Sequence, residues 1–395
     1  MREAFGDLIG FLYAYTQILV VRPAQISIIS LICGNYIMVA AVGENIPMYA
    51  KIIAAGIIAL ILLVNCLSVR GATVVQVVFT AAKLLAVIMI IVTGVVRLVQ
   101  GHTDALQDAF NGTTTSISDI GYGFYGGLWA YDGWNNLNLV TEELKNPIRD
   151  LPLAIMIGIP FITVCYVLVN IGYLTVMSSA NIAKSSAVAV ELANQLYGVM
   201  AWSIPVLVAC STFGAANGCA FTSGRIVFVA ARAGHAPRVL AGVQRTRKTP
   251  LPAIVFTCIV AMLMLIPDSA NFITLVDYFS FAAWTFYGLT MAALIWLRIR
   301  QPDRKRPYKV FILLPIFVFL CAIYLVVAPF KDNPVESSYC LAFILAGTIF
   351  WAFFVRWKCL PACCFSCFGA FTRAIVSCCD LQMPEVVDGE ITTEM

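Results

Sequence analysis

The sequence predicts an all-α polytopic membrane protein with about ten transmembrane helices. Three observations carry this. Hydrophobic residues make up 61% of the 395-residue chain and charged residues 12%, against roughly 45–50% and about 25% in soluble globular domains. Ten apolar segments reach the length of about 20 residues that crosses a bilayer. Lys and Arg gather in alternate connecting loops, as they do on the inner side of multi-pass proteins. The net charge of +4 is too small to suggest a nucleic-acid partner. The opening stretch, MREAFGDLIGFLYAY, runs directly into a long apolar segment. It is expected to begin the first span rather than form a cleaved leader.

The expected spans are residues 8–42, 48–67, 72–97, 120–141, 152–177, 199–229, 251–267, 272–297, 310–329 and 338–356. The first contains Arg22-Pro23, where proline breaks the hydrogen-bond ladder, and a structural kink is the favoured reading. The third contains Lys83 in FTAAKLLAV, too deep to snorkel to the surface. It reads as a fixed ammonium in the place a transported sodium takes in related architectures, or as a lysine tying helices together through a carbonyl, and the two readings are compatible. The sixth holds the small-residue run from Ser211 to Gly224, which suits close helix packing more than cavity lining. The loop 178–198 includes Ser185 to Leu196, either a short amphipathic helix at the membrane surface or an ordered loop.

Arg232, Arg238, Arg245, Arg247 and Lys248 fall in one loop, and Arg298, Arg300, Arg304, Lys305, Arg306 and Lys309 in another. With ten spans, both loops share a side with both termini, which is therefore cytoplasmic. Asn111-Gly112-Thr113 then lies outside and makes Asn111 a candidate glycosylation acceptor. Residues 1–358 form the transmembrane domain. Residues 359–395 form a cytoplasmic tail, Cys-rich and then acidic, its last residues from Pro384 expected to be disordered. Cys363, Cys364 and Cys367 lie just inside the membrane among aromatics and are candidates for palmitoylation. A zinc site would want paired Cys-x2-Cys spacings or histidine, and the tail has no His. No metal and no cofactor is implied. His102 and His235 are the only histidines and both lie in loops, and no nucleophile elbow or phosphate loop is present, so the chain does not read as an enzyme.

The fourth span, GYGFYGGLWAYDGWNNLNLVTEE from Gly121 to Glu143, carries the chemistry. Ala130-Tyr131-Asp132-Gly133-Trp134-Asn135 places an acid, an amide and a glycine where a plain spanning helix would hold Leu or Val. Unwound backbone is tolerated at that depth only where protein or a watery cavity surrounds it. An acid there marks a functional site by default. The segment is therefore expected to be a discontinuous helix holding an amine-bearing solute, with freed carbonyls at Trp129, Ala130 and Asp132 binding an ammonium group. Trp129, one turn before Asp132, suits a gate or a stacking surface for a cation. Asp277 is a further acid within a span.

The stretch GLWAYDGWNNLNLVTEELKNPIRDLPLAI, Gly127 to Ile155, resembles the L-type amino-acid transporter light chains of the amino acid–polyamine–organocation superfamily. RPAQISII, NCLSVR, FTAAKLLAV, STFGAANGCAFTSGRIVFVAARAGH and YFSFAAWTFYGLT extend the resemblance over nearly the whole chain. Within that family, the Trp129 and Asp132 pair is similar to the b(0,+) type; members for large neutral amino acids carry Gly or Ser where Asp132 stands.

The resemblance implies a LeuT-like inverted-repeat scaffold that exchanges amino acids without sodium at the plasma membrane, cationic amino acids and cystine entering against neutral ones. It implies a solute site at Trp129, Ala130, Tyr131, Asp132 and Asn135, with Lys83 as the sodium-replacing lysine. Aligned by motif, Gly6 to Val42 corresponds to the family's third helix, so the scaffold is expected to lack its first two helices, including a Gly-Ser-Gly loop for the substrate carboxylate. A truncated, non-transporting membrane partner or regulatory isoform is the alternative reading. The family's light chains bond a single-span glycoprotein heavy chain through a cysteine. Here Glu44 stands about where that cysteine belongs, so any such pairing is expected to be noncovalent.

Overall fold

The fold is set by one helix that others surround. In a computed structural model of the chain, the described residues are 1–44, 46–67, 69–107, 112–185, 187–306, 308–331, 334–357, 372–383, 385–387 and 390–392. Asn111, Cys363, Cys364 and Cys367 lie outside them. The main helices are α1 (Asp7–Val42), α2 (Pro47–Leu67), α3 (Val69–Val99), α4 (Ile117–Trp129), α5 (Pro147–Leu174), α6 (Val188–Leu196), α7 (Ser203–Arg232), α8 (Leu251–Leu263), α9 (Phe272–Arg300), α10 (Leu313–Val327) and α11 (Pro334–Phe350).

Eight helices among the described residues are long and apolar enough to cross a membrane. The chain is thus an all-α, multi-pass membrane protein. The other two of the ten expected spans are α4 and α8, each a helix of 13 residues. The first is short because it unwinds at the acid-bearing turn. The second stops at Leu263, ahead of Pro267, so the expected end at 267 was four residues too long.

α1 packs against α2, α7, α8 and α9, and Ile26, Ile28 and Ala24 on it are buried against Ile58, Ile61, Ala216, Ala220 and Cys258. Its neighbours approach closely because small residues line the seams, the usual device where lipid gives helices no hydrophobic reason to associate. A Cβ on Gly34 would stand 2.4 Å from the Ala50 carbonyl oxygen of α2, and one on Gly214 would stand 2.7 Å from Phe79 of α3. The Ser211–Gly224 run therefore packs, as expected. α5 lies at the periphery, with Ile157, Phe161 and Val164 exposed. The expected proline effect in α1 takes a specific form: Gln17–Val21 winds as a π turn immediately before Arg22-Pro23. Such bulges accommodate the broken ladder inside a helix.

The two ends of the bundle differ. At one end Arg304 pairs with Glu3, His235 meets the Phe11 ring edge-on at 5.7 Å, and Arg245 lies 3.8 Å from Asp380. Strands β1 (Val243–Gln244) and β2 (Leu381–Gln382) pair antiparallel there. The N-terminus, both basic loops and the tail thus share one end. At the other end Lys51 donates to the Pro267 carbonyl at 2.6 Å. There α6 buries Leu192 and Ala193 against Ile90, Met177 and Ile204, so the amphipathic segment is a helix docked on the bundle, not one lying out on the surface. Beyond β2, β3 (Glu385–Val387) pairs with β4 (Glu390–Thr392), where disorder was expected. Val-Val and Ile-Thr flank Asp388-Gly389, a hairpin sequence signal that outweighs the acidic composition. All ten cysteines among the described residues are free.

His235 is half-buried, and its pKa is held below the ordinary 6.5, first by burial and then by the Arg2 charge, with Asp7 opposing. The folded protein thus binds fewer protons at this site than the unfolded chain, so stability is full above the unfolded value and declines as pH falls through it. Thermal unfolding in detergent should show a lower midpoint at pH 5.5 than at pH 7.5, with part of that difference removed by His235→Gln; an undiminished difference would exclude His235 as a cause. In the α1–α2 seam, Gly34→Val should lower stability by about 1–3 kcal/mol through overpacking. Gly56→Val, where nothing lies within 4 Å of an added Cβ, should change it little. Equal effects of the two would refute close packing as the role of Gly34.

Candidate functional site

Ser116 caps α4, its hydroxyl accepting from the Asp119 amide, and the helix runs to Trp129. Residues 130–135 then form a turn, and the chain resumes as a 3-10 helix, Asn136–Glu143. The break follows from local chemistry. Gly133 sits at φ +105°, a conformation side-chain-bearing residues rarely adopt. Asp and Asn on either side compete with the helix for backbone hydrogen bonds. The discontinuous helix expected from the sequence is thus present, and it brings Trp129, Ala130, Tyr131, Asp132 and Asn135 into one turn.

Asp132 is partly buried and fully engaged. Gln25 Nε2 of α1 donates to one carboxylate oxygen. The Tyr287 hydroxyl of α9 donates to the other at 3.2 Å. Tyr287 in turn accepts from Asn135 Nδ2 at 2.8 Å. The acid therefore ties the turn to two helices far away in sequence. Arg22, buried on α1, completes the network, donating from Nη1 to Asn136 Oδ1 at 2.9 Å and Gln25 Oε1 at 3.2 Å, and from Nε to Gln17 Oε1 at 3.1 Å. Arg22, beside the proline, thus also reaches the chain that follows the Asp132 turn. Cys219 of α7, buried, lies within electrostatic reach of Asp132, Arg22 and Lys83. Lys83 is partly buried and makes no hydrogen bond or ion pair among the described residues. Asp277 stands apart, in a separate small pocket with Glu336, Tyr122 and Tyr125.

Not every carbonyl of the turn is free. Trp129 O accepts from the Asp132 amide at 2.9 Å, and Ala130 O accepts from the Tyr166 hydroxyl of α5 at 2.8 Å. Two of the three carbonyls expected to be free are therefore used within the protein. The Asp132 carbonyl accepts no hydrogen bond among the described residues. Two buried side-chain atoms at the turn also lack partners: the donor Trp129 Nε1 and the acceptor Asn135 Oδ1. Buried polar groups normally find partners, so these atoms leave open hydrogen-bonding capacity beside the acid. Trp129 meets Phe272 edge-on at 5.4 Å, which restrains its ring. Sequence reasoning missed Gln25, Tyr287, Asn136 and Tyr166. A polar residue three after Arg22 on an otherwise apolar helix was a signal for Gln25, whereas nothing local distinguished Tyr287.

The described chain matches the family described as amino acid permease over residues 1–354. It is 46% identical to the b(0,+)-type amino acid transporter 1 of Mus musculus, over 91% of this chain and 74% of the relative. It is 45% identical to the Homo sapiens protein of that name, with the same coverage. It is 40% identical to the large neutral amino acids transporter small subunit 2 of Homo sapiens, over all of this chain and 74% of the relative.

Replacing Gly133 by alanine should destabilise the protein by about 1–3 kcal/mol, the usual cost of a side chain in a strained backbone region. Thermal unfolding of the purified protein measures this; an unchanged midpoint would mean that the turn relaxes without glycine.

Proposed function

The chain belongs to the amino acid permease family, and on that premise we propose that it is a sodium-independent amino-acid exchanger that takes cationic amino acids and cystine against neutral amino acids. The observation that carries the proposal is a carboxylate, Asp132, on a broken helix with open hydrogen-bonding atoms beside it. Half-helix ends and carboxylates at mid-membrane hold charged solute groups in transporters. Asp132 selects a cationic side chain. The Asp132 carbonyl and Asn135 Oδ1 accept from an ammonium group, and Trp129 covers the solute and donates from its indole nitrogen. Exchange requires Gln25 and Tyr287 to yield Asp132 to the solute and retake it afterwards.

The unpaired Lys83 ammonium supports sodium independence, since a fixed cation within a span can take the place of a bound one. The end shared by the basic loops, the N-terminus and the described tail residues supports cytoplasmic termini, and the plasma membrane is the membrane proposed. On this reading residues 1–358 are the transport domain and residues 359–395 a cytoplasmic tail. Cys363, Cys364 and Cys367 are acylated against the lipid, and Asn111 is a glycosylation acceptor. One relative's name marks it as a small subunit, which supports pairing with a heavy chain. Glu44 is exposed and its loop carries no cysteine, so the pairing is noncovalent.

Proteoliposomes containing this chain and loaded with leucine should take up labelled arginine and cystine, and replacing external sodium by choline should change nothing. Uptake no greater than in empty vesicles would overturn the proposal in favour of a non-transporting membrane partner. Asp132→Gly should weaken arginine uptake about tenfold more than leucine uptake, as expected for loss of one charged hydrogen bond. Equal loss of both would make Asp132 a structural acid only.

A further inference from the structure

Arg22 is an unusual residue to bury in a span. It is 3% exposed, and an arginine at such depth is expected to pair with an acid. Here its guanidinium donates to three neutral amide oxygens, those of Gln17, Gln25 and Asn136, and among the described residues it forms no salt bridge. The acid it would be expected to pair with, Asp132, lies on the far side of Gln25. The Gln25 carbonyl oxygen accepts from Arg22 while its NH2 group donates to Asp132. The amide dipole is thus aligned head to tail between the cation and the anion. A second chain of contacts, Arg22 to Asn136 and Asn135 through Tyr287 to Asp132, closes a ring across α1, the turn and α9.

We propose that Arg22 is a specificity-determining residue of the solute site: an internal counter-cation, held off Asp132 by the Gln25 amide, against which a cationic solute must compete. This rests on the proposed role of Asp132 as the solute's anion. Arg22 does not touch the solute. It acts through Gln25 and through the field it sets in a low-dielectric surrounding. With a neutral side chain in the site, Arg22 and Asp132 balance and the ring stays closed. A cationic side chain takes Asp132 from Gln25 and adds a positive charge beside Arg22. The arginine thereby limits the preference for cations, which lets the same site release a cationic solute and accept a neutral one in exchange.

The test is the ratio of arginine to leucine exchange, each as kcat/KM, in proteoliposomes of the full chain. Arg22→Gln and Arg22→Met remove the charge, and the arginine-to-leucine ratio should rise about tenfold, since a nearby like charge is lost. Arg22→Lys keeps the charge and should leave the ratio within about twofold of the parent, well below a tenfold change. Gln17→Glu neutralises Arg22 in place, from the side away from Gln25, and should raise the ratio as the neutral variants do. It keeps the test open if those variants fail to fold. An unchanged or lowered ratio in folded Gln17→Glu or Arg22→Gln protein would overturn the inference, because a merely structural arginine would depress both solutes together. Asp132→Gly is measured alongside. If it selectively loses arginine while the Arg22 and Gln17 variants leave the ratio alone, only the inference about Arg22 fails. If it does not, the role of Asp132 fails as well.

Discussion

The structure depends on satisfying one carboxylate inside an apolar bundle. Asp132 can remain in this position only because Gln25 and Tyr287 reach it from α1 and α9, since a charge without partners at that depth is strongly unfavourable. That requirement fixes much else. α1 must present a polar face to the turn while the rest of it is buried among Ile58, Ile61, Ala216 and Cys258. The helix carrying Asp132 must stop at Trp129 so that the acid leaves the helical register, and Gly133 supplies the backbone conformation that makes the turn.

Around this centre, packing and polarity divide the labour. Close seams at Gly34 and Gly214 hold α1, α2, α3 and α7 at short range, so the polar ring is built on elements with little freedom to drift. The turn at residues 130–135 has a different character. Trp129 Nε1 and Asn135 Oδ1 lack partners while Asp132 itself is occupied. For the proposed exchange such a site is well suited: a solute would replace contacts that already exist, and the contacts would re-form when it leaves. In the role proposed for it, Arg22 extends this logic by supplying a standing positive charge that the solute must offset.

Much of this was legible in the sequence, for physical reasons. Apolar runs of about 20 residues can do little in water, so the membrane class followed from composition and length. The break at Ala130–Asn135 was legible because acid, amide and glycine conflict locally with both helix and lipid. Lys83 and Arg22 stood out as deep charges. What stood on both sides of them was not legible. Gln25 and Tyr287 lie 107 and 155 residues from Asp132, and nothing in their own surroundings announces that pairing. At Arg22-Pro23 proline dominates the local signal, and a π turn precedes it, yet the arginine's partners come from the tertiary fold. The Ala130 carbonyl was expected to be free because the helix breaks there, but Tyr166 from α5 fills the vacancy, which no local rule anticipates. The pairing of β3 with β4 shows the converse, where β-branched residues outweighed acidic composition.

The central claim is that a cationic solute displaces protein donors from Asp132. A structure of the chain with arginine bound tests it most directly. The account predicts a cationic group of the arginine hydrogen-bonded to the Asp132 carboxylate, with Gln25 Nε2 or the Tyr287 hydroxyl withdrawn from it. Arginine bound elsewhere, with both Gln25 and Tyr287 still on Asp132, would contradict it.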